Sequence, residues 1–258
     1  MEQRDINKDI NSVRAIVRRA FSLREDKADN NEIRDRLLSG GKVTGTNLSV
    51  MICAMIIASV GLNTGSTAVI IGAMLISPIM GTILAVAYGT ASVDVNIVKK
   101  YMIGFAFQII ISVAASTIYF LLSPIKEPTS EVLARTQPSF YDVIIASAGG
   151  LAGIIGQTRE DKANNIIPGV AIATALMPPL CTCGYSIANG NWHMLGGAAY
   201  LFIVNAYFIF LSSTVILSIF GIPKAREMTE AQWRRLRARM VRNTIMTLLP
   251  GILYVFVR

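Results

Sequence analysis

Residues 56–61 read Ile-Ile-Ala-Ser-Val-Gly, and residues 144–149 read Ile-Ile-Ala-Ser-Ala-Gly. Each copy is followed by an apolar segment with proline near its middle: Ala-Met-Leu-Ile-Ser-Pro-Ile at 73–79 and Thr-Ala-Leu-Met-Pro-Pro-Leu at 174–180. Three predicted membrane spans separate the copies, and an odd number places them in opposite orientations. Inverted repeats with broken helices are typical of secondary transporters, in which the breaks mark the binding site. The pattern predicts an all-α membrane protein with a 3+3 inverted repeat and proline-broken helices.

The composition also indicates a membrane protein, because 53% of the 258 residues are hydrophobic and only 16% are charged. Soluble domains carry about 25% charged residues, and crossing the hydrocarbon takes roughly 20 apolar residues. We expect six transmembrane helices, near residues 44–62, 66–90, 101–122, 140–157, 166–188 and 196–220. The first three lie in repeat 1, residues 44–122, and the last three lie in repeat 2, residues 140–221.

The basic residues assign an orientation to these spans. If the six spans alternate, most Lys and Arg fall on one side, in residues 1–43, 92–100, 158–165 and 222–243. The long loop on the opposite side contains only Lys126 and Arg135. The positive-inside rule therefore predicts a cytoplasmic amino terminus and a multi-pass protein of the cell inner membrane.

Polar segments flank the spans at both ends. Residues 1–43 contain two short helical patterns, which predict cytosolic amphipathic helices on the inner leaflet or a regulatory, partner-binding cap. Residues 222–258 comprise a predicted basic amphipathic helix, to about residue 243, and an apolar tail at 244–257. Pro250 and Gly251 interrupt this tail. It is a possible seventh span, or a re-entrant or interfacial segment.

The net charge of +8 is explained by orientation and by attraction to anionic phospholipid headgroups, so we expect no nucleic-acid partner. The three cysteines are Cys53, Cys181 and Cys183, and the one histidine is His193. They form no four-ligand pattern, so we expect no metal and no cofactor. The sequence contains neither a hydrolase motif nor an ATP-binding loop, which predicts that the chain is not an enzyme.

Ser77-Pro78 and Pro178-Pro179 lie near the middle of their spans. Proline inside a helix removes a hydrogen bond, whereas Ser followed by Pro is also a favourable helix start. We therefore predict a half-helix starting at Ser77 and a second break, without a serine cap, at the double proline. Two half-helix amino termini would meet at mid-membrane, each with about half a positive charge. They would favour an anion or the electronegative end of a neutral solute; ordinary proline kinks are the alternative.

Small and polar residues near the breaks complete the predicted substrate site. No Asp, Glu, Lys or Arg lies well inside the six spans, which favours a facilitative carrier or a channel over proton coupling. The predicted site residues are Ser77, Pro78, Gly81, Thr174, Pro178, Pro179, Asn63 and Asn205. For the polar residues and Gly81, interhelical hydrogen bonding or close helix packing is the alternative role. The abundant small residues also predict a homo-oligomer.

Residues 68–81 read Ala-Val-Ile-Ile-Gly-Ala-Met-Leu-Ile-Ser-Pro-Ile-Met-Gly. This stretch resembles domain-of-unknown-function family 389, a group of bacterial and archaeal membrane proteins. The second half agrees at residues 175–180, at Gly196-Gly197-Ala198, at Leu201-Phe202 and at Asn205. The resemblance covers about residues 45–222, and the chain departs from the family at residues 85–92, where more glycines are expected. It implies a multi-pass membrane protein and no particular activity.

These observations lead to two functional hypotheses. The first is a homo-oligomeric transporter or channel for a small anionic or neutral solute, with its site at the two broken helices. The alternative is a non-transporting membrane scaffold or sensor that engages lipid or a partner through its cytosolic helices. It predicts that deletion of residues 1–40 abolishes function while proline substitutions have little effect.

Overall fold

The computed structural model describes residues 27–160, 176–225 and 229–256. Within these ranges the regular structure is helical, with one isolated β-bridge between Lys27 and Arg159. The helices, numbered here in chain order, are α1 Asn30–Gly40, α2 Gly45–Thr64, α3 Thr67–Ile76, α4 Ile79–Ala91, α5 Val95–Leu122, α6 Ser130–Ala134, α7 Phe140–Thr158, α8 Met177–Ala188, α9 Trp192–Ile219 and α10 Glu230–Phe256.

Polar side chains and a glycine set the ends of the long helices. Thr44, Asp94 and Asn191 precede α2, α5 and α9 and accept hydrogen bonds from first-turn N–H groups at 2.9 to 3.3 Å. These bonds satisfy backbone donors that have no partner inside the helix. Gly65 ends α2 with φ of 65°, a left-handed conformation that glycine adopts without steric cost. Local sequence therefore determines where these helices meet the membrane surfaces.

The helices pack as a bundle with an apolar exterior. Helix α4 packs against both α5 and α9, and α8 packs against the same two helices. Helix α2 contacts α3, α5 and α8, while α7 packs along α9. On the outer face of α5, Ile103, Ile110 and Leu122 are 72%, 64% and 80% exposed. Apolar surface on this scale is typical of a membrane contact, so these faces indicate lipid around the bundle.

By length and composition, four described helices can cross a membrane: α2, α5, α7 and α9. Helices α3 and α4 pass the same criterion as one broken span with a bend of 47°. These five agree with the predicted spans at 44–62, 66–90, 101–122, 140–157 and 196–220. Helix α8 lies in the second half of the remaining predicted span, 166–188, whose first half lies outside the described residues.

Helix α1 packs on the bundle through its apolar residues. Its Ile33 and Leu37 are fully buried, and it contacts α4 and α7. The preceding strand-like residues contact the ends of α7 and α9: the Ala28 N–H donates to the carbonyl of Thr158 at 2.9 Å, and Lys27 Nζ donates to the carbonyl of Phe220 at 3.0 Å. The last carbonyls of a helix need partners from outside it, and this segment supplies them. The other predicted helix of residues 1–43 lies outside the described residues.

Helix α10 differs in its limits from the predicted amphipathic helix at 222–243. A left-handed turn at Gly221, with φ of 67°, is followed by Pro223, and the helix begins only at Glu230. It continues through Pro250 without the predicted interruption and packs along α9. Tyr207 and Tyr200 of α9 donate hydrogen bonds to the carbonyls of Met240 and Thr247 at 3.0 and 2.8 Å. Membrane helices tolerate an internal proline where neighbouring helices or side chains satisfy the backbone groups that it leaves without a partner.

The end of α1 contacts the first turn of α4, beside the break between α3 and α4. A Cβ atom added at Gly81 would collide with the carbonyl of Gly40. The Tyr101 hydroxyl donates to the carbonyl of Leu38 at 2.6 Å, which holds the same end of α1 against α5. Gly81 therefore allows two backbones to approach each other closely.

We expect Gly81→Ala to lower the free energy of unfolding by about 1–3 kcal/mol, because its methyl group overpacks the contact with α1. Gly72→Ala is the matched control, since a Cβ atom there has no neighbouring atom within 4 Å and alanine has the higher helix propensity. Thermal unfolding of the detergent-solubilised protein measures both variants. Equal stability of Gly81→Ala and Gly72→Ala would contradict the α1–α4 contact.

Candidate functional site

The break in the second span lies between Ser77 and Ile79. Ser77 follows the last residue of α3, and Pro78 occupies the N-cap position of α4. The half-helix thus begins at Ile79, two residues later than predicted, and the Ser77 hydroxyl is 3.5 Å from the Ile79 N–H. The carbonyl of Met74, which proline leaves without its usual donor, accepts from the Ser77 N–H at 3.3 Å. Ser77 therefore stabilises the break mainly through its backbone.

The double proline lies in the first turn of α8. Pro178 and Pro179 are buried, at positions where a helix needs no backbone donor. As predicted for Met177 in place of a serine, the start of α8 has no side-chain cap. The predicted site residue Thr174 lies outside the described residues. A second break of the helix is consequently not described, although α8 does begin at the double proline.

A row of polar side chains on α5 connects the first turns of α4 and α8. It consists of Gln108, Ser112 and Ser116, spaced four residues apart and at most 1% exposed; we call it the α5 polar stripe. At one end, the Thr82 hydroxyl of α4 donates to Gln108 Oε1 at 2.9 Å. At the other end, the Ser116 hydroxyl donates to the carbonyl of Cys181 in α8 at 3.0 Å.

Ser112 lies midway along this stripe, between the starts of α4 and α8. Its Oγ is fully buried and has no hydrogen-bond partner among the described residues, and the same is true of Thr182 Oγ1 in α8. Gln108 and Ser116 are eight residues apart, so the two anchored helix starts lie about 12 Å apart along α5. A buried hydroxyl without a partner costs about 1–3 kcal/mol. It is therefore a candidate contact for a ligand.

A second set of contacts fixes α2 to the same part of the bundle. The Ser59 and Ser116 hydroxyls lie 3.0 Å apart, and Cys181 Sγ lies 3.8 Å from the carbonyl of Met55. In α8, a Cβ atom added at Gly184 would lie 2.5 Å from Ser116 Oγ. Ser116 thus joins α2, α5 and α8 at one point, and its role is structural.

The remaining predicted site residues lie in different surroundings. Asn63 lies at the carboxyl end of α2, where its amide donates to Ser123 Oγ at 2.6 Å, so it is not near the break. Asn205 is buried at the midpoint of α9, one of the two helices that hold α4 and α8. Gly81 contacts α1, as described above. The contacts of Asn63 and Gly81 are of the kind that the alternative roles predict, whereas Asn63 Oδ1 is buried without a partner among the described residues, so a ligand role for both stays a prediction.

The predicted site list omitted Ser112 and Thr182, which lie between or within the helix starts. The four-residue spacing of Gln108, Ser112 and Ser116 was the available signal, because it places all three on one helix face. Among the described residues, no group of three His, Cys, Asp or Glu side chains could hold a metal ion. The arrangement offers hydroxyls and helix amino termini, which are donors for an electronegative ligand.

The long helices with exposed apolar faces indicate that the described part of the chain is a helical membrane protein. The chain belongs to the family described as Domain of unknown function (DUF389), which matches residues 74–211. An uncharacterised protein of Methanocaldococcus jannaschii is 29% identical over 193 residues, which cover 75% of this chain and 58% of that protein. No solved structure matches the chain.

The two serines of the stripe differ in a way that stability measurements can detect. We expect Ser116→Ala to lower the free energy of unfolding by about 1–3 kcal/mol, because it leaves the buried groups of Ser59 and Cys181 without their partner. Ser112→Ala is the matched control and should not lower stability, because it removes a buried hydroxyl that has no partner among the described residues. Thermal unfolding in detergent compares them. A loss for Ser112→Ala as large as for Ser116→Ala would mean that the Ser112 hydroxyl has a protein partner.

Proposed function

We propose that the protein is a transporter or channel for a small anionic or neutral solute, which contacts Ser112 between the first turns of α4 and α8. The observation that carries this proposal is the buried Ser112 hydroxyl, without a partner among the described residues, midway between the two anchored helix starts. The proposed site is therefore shifted from the Ser77 side chain, predicted from the sequence, to the α5 polar stripe.

The electrostatics of the two half-helices favour an electronegative solute. Each helix amino terminus carries about half a positive charge and backbone N–H groups without internal partners. The sequence has no Asp, Glu, Lys or Arg well inside the six predicted spans that could neutralise or outweigh these charges. In a low-dielectric interior such dipoles act over the full width of a small site. This charge distribution supports a small anion, or a neutral solute that accepts hydrogen bonds.

We further propose that six spans form a 3+3 inverted repeat, with α10 as a possible seventh. The helix contacts support this symmetry: exchange of the repeats converts the α4–α5 contact into α8–α9 and the α4–α9 contact into α8–α5. The third helices of the two repeats, α5 and α9, both have 28 residues and a buried amide side chain at the midpoint, Gln108 and Asn205. In such repeats the substrate site lies between the broken helices.

In the proposed mechanism the structure represents a state that is closed on the cytosolic side. Helix α1 and the residues before it contact α4 and the ends of α7 and α9. The carbonyl of Gly40 lies against Gly81, close to the break at Pro78. Movement of α1 away from α4 would open a route from the cytosol to the site, which gives the cytosolic segment a gating role.

The proposed orientation places residue 31 in the cytosol and the loop with α6 outside. In a background with all three cysteines replaced by alanine, Ser130→Cys and Asn31→Cys introduce thiols at exposed positions on the two sides. We expect a membrane-impermeant maleimide to label Ser130→Cys in intact spheroplasts, and Asn31→Cys only after permeabilisation. The reverse pattern would overturn the orientation, and labelling of both in intact cells would overturn the odd number of spans between them.

Solute flux into proteoliposomes tests the proposed function directly. A panel of chloride, nitrate, formate, phosphate, glycerol and urea covers small anionic and neutral solutes. We expect flux of at least one, and a loss of tenfold or more, about 1.4 kcal/mol in a rate, for Ser112→Ala. Ser147→Ala is the matched control, because the Ser147 hydroxyl donates to the carbonyl of Val143 in its own helix.

Two results would contradict the transport proposal. The first is no flux of any panel solute in vesicles that contain folded protein of the assigned orientation. The second is equal flux for Ser112→Ala and Ser147→Ala, which would place the pathway elsewhere. Absence of flux, together with loss of function in cells on deletion of residues 1–40, would favour the scaffold or sensor alternative.

A further inference from the structure

A cavity separate from the α5 polar stripe lies where α4 and α9 end and α10 passes them. Its volume is about 610 Å³, within the range of small-molecule pockets. Its walls include Thr90 and Ala91 of α4, Thr214 and Ser218 of α9, and Leu236 and Met240 of α10. These are the ends that the proposed orientation places at the cytosolic surface of the membrane.

The interior of this cavity is apolar, although three of its residues carry hydroxyl groups. Thr90, Thr214 and Ser218 each donate a hydrogen bond to a carbonyl four residues earlier in their own helix, at 2.9, 2.7 and 2.8 Å. Their donors are thus occupied, and they present mainly methyl and methylene groups to the cavity. Ordered water needs two to four polar partners, so a hydrocarbon chain fits these walls better than water does.

The cavity is accessible from the lipid. Val215 and Ile219 line it on α9, and they are 45% and 55% exposed on the apolar surface of the bundle. An acyl chain can therefore enter sideways from the inner leaflet without crossing the polar surface. Its headgroup would remain at the level where α9 ends.

One basic side chain lies at the rim of the cavity at this level. Lys224 is one of the lining residues. Basic pockets between helices on the cytosolic side are suited to anionic lipid headgroups.

We infer that this cavity binds one anionic phospholipid of the inner leaflet, with an acyl chain between α4, α9 and α10 and its phosphate near Lys224. The apolar walls select an amphiphile over a free anion, and the basic rim selects an anionic headgroup over a zwitterionic one. Bound lipid would fill the space that α10 leaves beside α9 and would hold α10 in place. This site is independent of the proposed transport pathway.

Native mass spectrometry of protein released from nanodiscs tests this site. The nanodiscs contain phosphatidylcholine and phosphatidylglycerol in equal amounts. We expect one phosphatidylglycerol retained per wild-type chain in preference to phosphatidylcholine. Lys224→Gln should lower the affinity about fivefold, as about 1 kcal/mol per basic residue implies. The matched charge control is Lys99→Gln, because Lys99 is an exposed lysine in the first turns of α5.

A second variant tests the cavity itself. Ser218→Phe fills the space and should abolish retention of the lipid without removing a charge. If thermal unfolding indicates that this variant is not folded, Thr90→Phe fills the same cavity from α4. Three outcomes would overturn the inference: equal loss for Lys224→Gln and Lys99→Gln, unchanged retention in a folded cavity-filling variant, or equal retention of the two lipids. The first would indicate attraction to the basic surface alone.

Discussion

A helix that breaks inside an apolar bundle leaves backbone N–H and C=O groups where water cannot reach them, and each such group costs several kcal/mol if it has no partner. This constraint explains the surroundings of Pro78. The carbonyl of Met74 accepts from the Ser77 N–H, and Thr82 in the next turn bonds to Gln108 of α5. The broken span thus satisfies the Met74 carbonyl with its own backbone, and the bond from Thr82 to Gln108 holds the span against α5.

The same constraint applies where the spans end. The carbonyls of Thr158 and Phe220, at the ends of α7 and α9, accept from Ala28 and Lys27. Arg36 of α1 donates to the carbonyl of Arg159 at 2.6 Å. These bonds make α1 part of the bundle, and in the proposed mechanism water would replace them when the cytosolic side opens. Water can satisfy these groups at the membrane surface, so the exchange is feasible there.

Five of the spans and the first helix break could be predicted from the sequence because they depend on local properties. Long apolar runs cross a membrane regardless of their neighbours, and proline at residue 78 lacks its N–H in any fold. The packing of α1 could not be predicted in this way. An amphipathic pattern such as Ile33 and Leu37 suits a lipid surface and a protein surface equally well. The hydrogen bonds to the carbonyls at the ends of α7 and α9 attach this segment to the bundle, and they are visible only in the structure.

The proposed site was predicted less completely, for a related reason. The sequence indicated two prolines at matching depth, and α4 and α8 begin at those prolines. Which polar side chains lie between them depends on the rotation of α5, and helical spacing alone does not determine it. Asn63 was selected by residue type, yet its bond to Ser123 places it at the carboxyl ends of α2 and α5, away from the break. Ser112 has the same type of side chain as Ser116, and only the structure separates them.

The contrast between Ser112 and Ser116 bears on how a site without ionisable groups can be selective. Most hydroxyls in the described helices donate to a carbonyl of their own helix, as Thr117 and Ser147 do at 2.7 Å. Such hydroxyls already donate a hydrogen bond, so they add little to the binding free energy of a ligand. Ser112 is 0% exposed and lacks such a bond among the described residues. A ligand that accepts a hydrogen bond from its hydroxyl would therefore offset the free-energy cost of burying that group. Selectivity at the proposed site then rests on hydrogen-bond geometry and helix dipoles, which do not titrate, and not on a fixed charge.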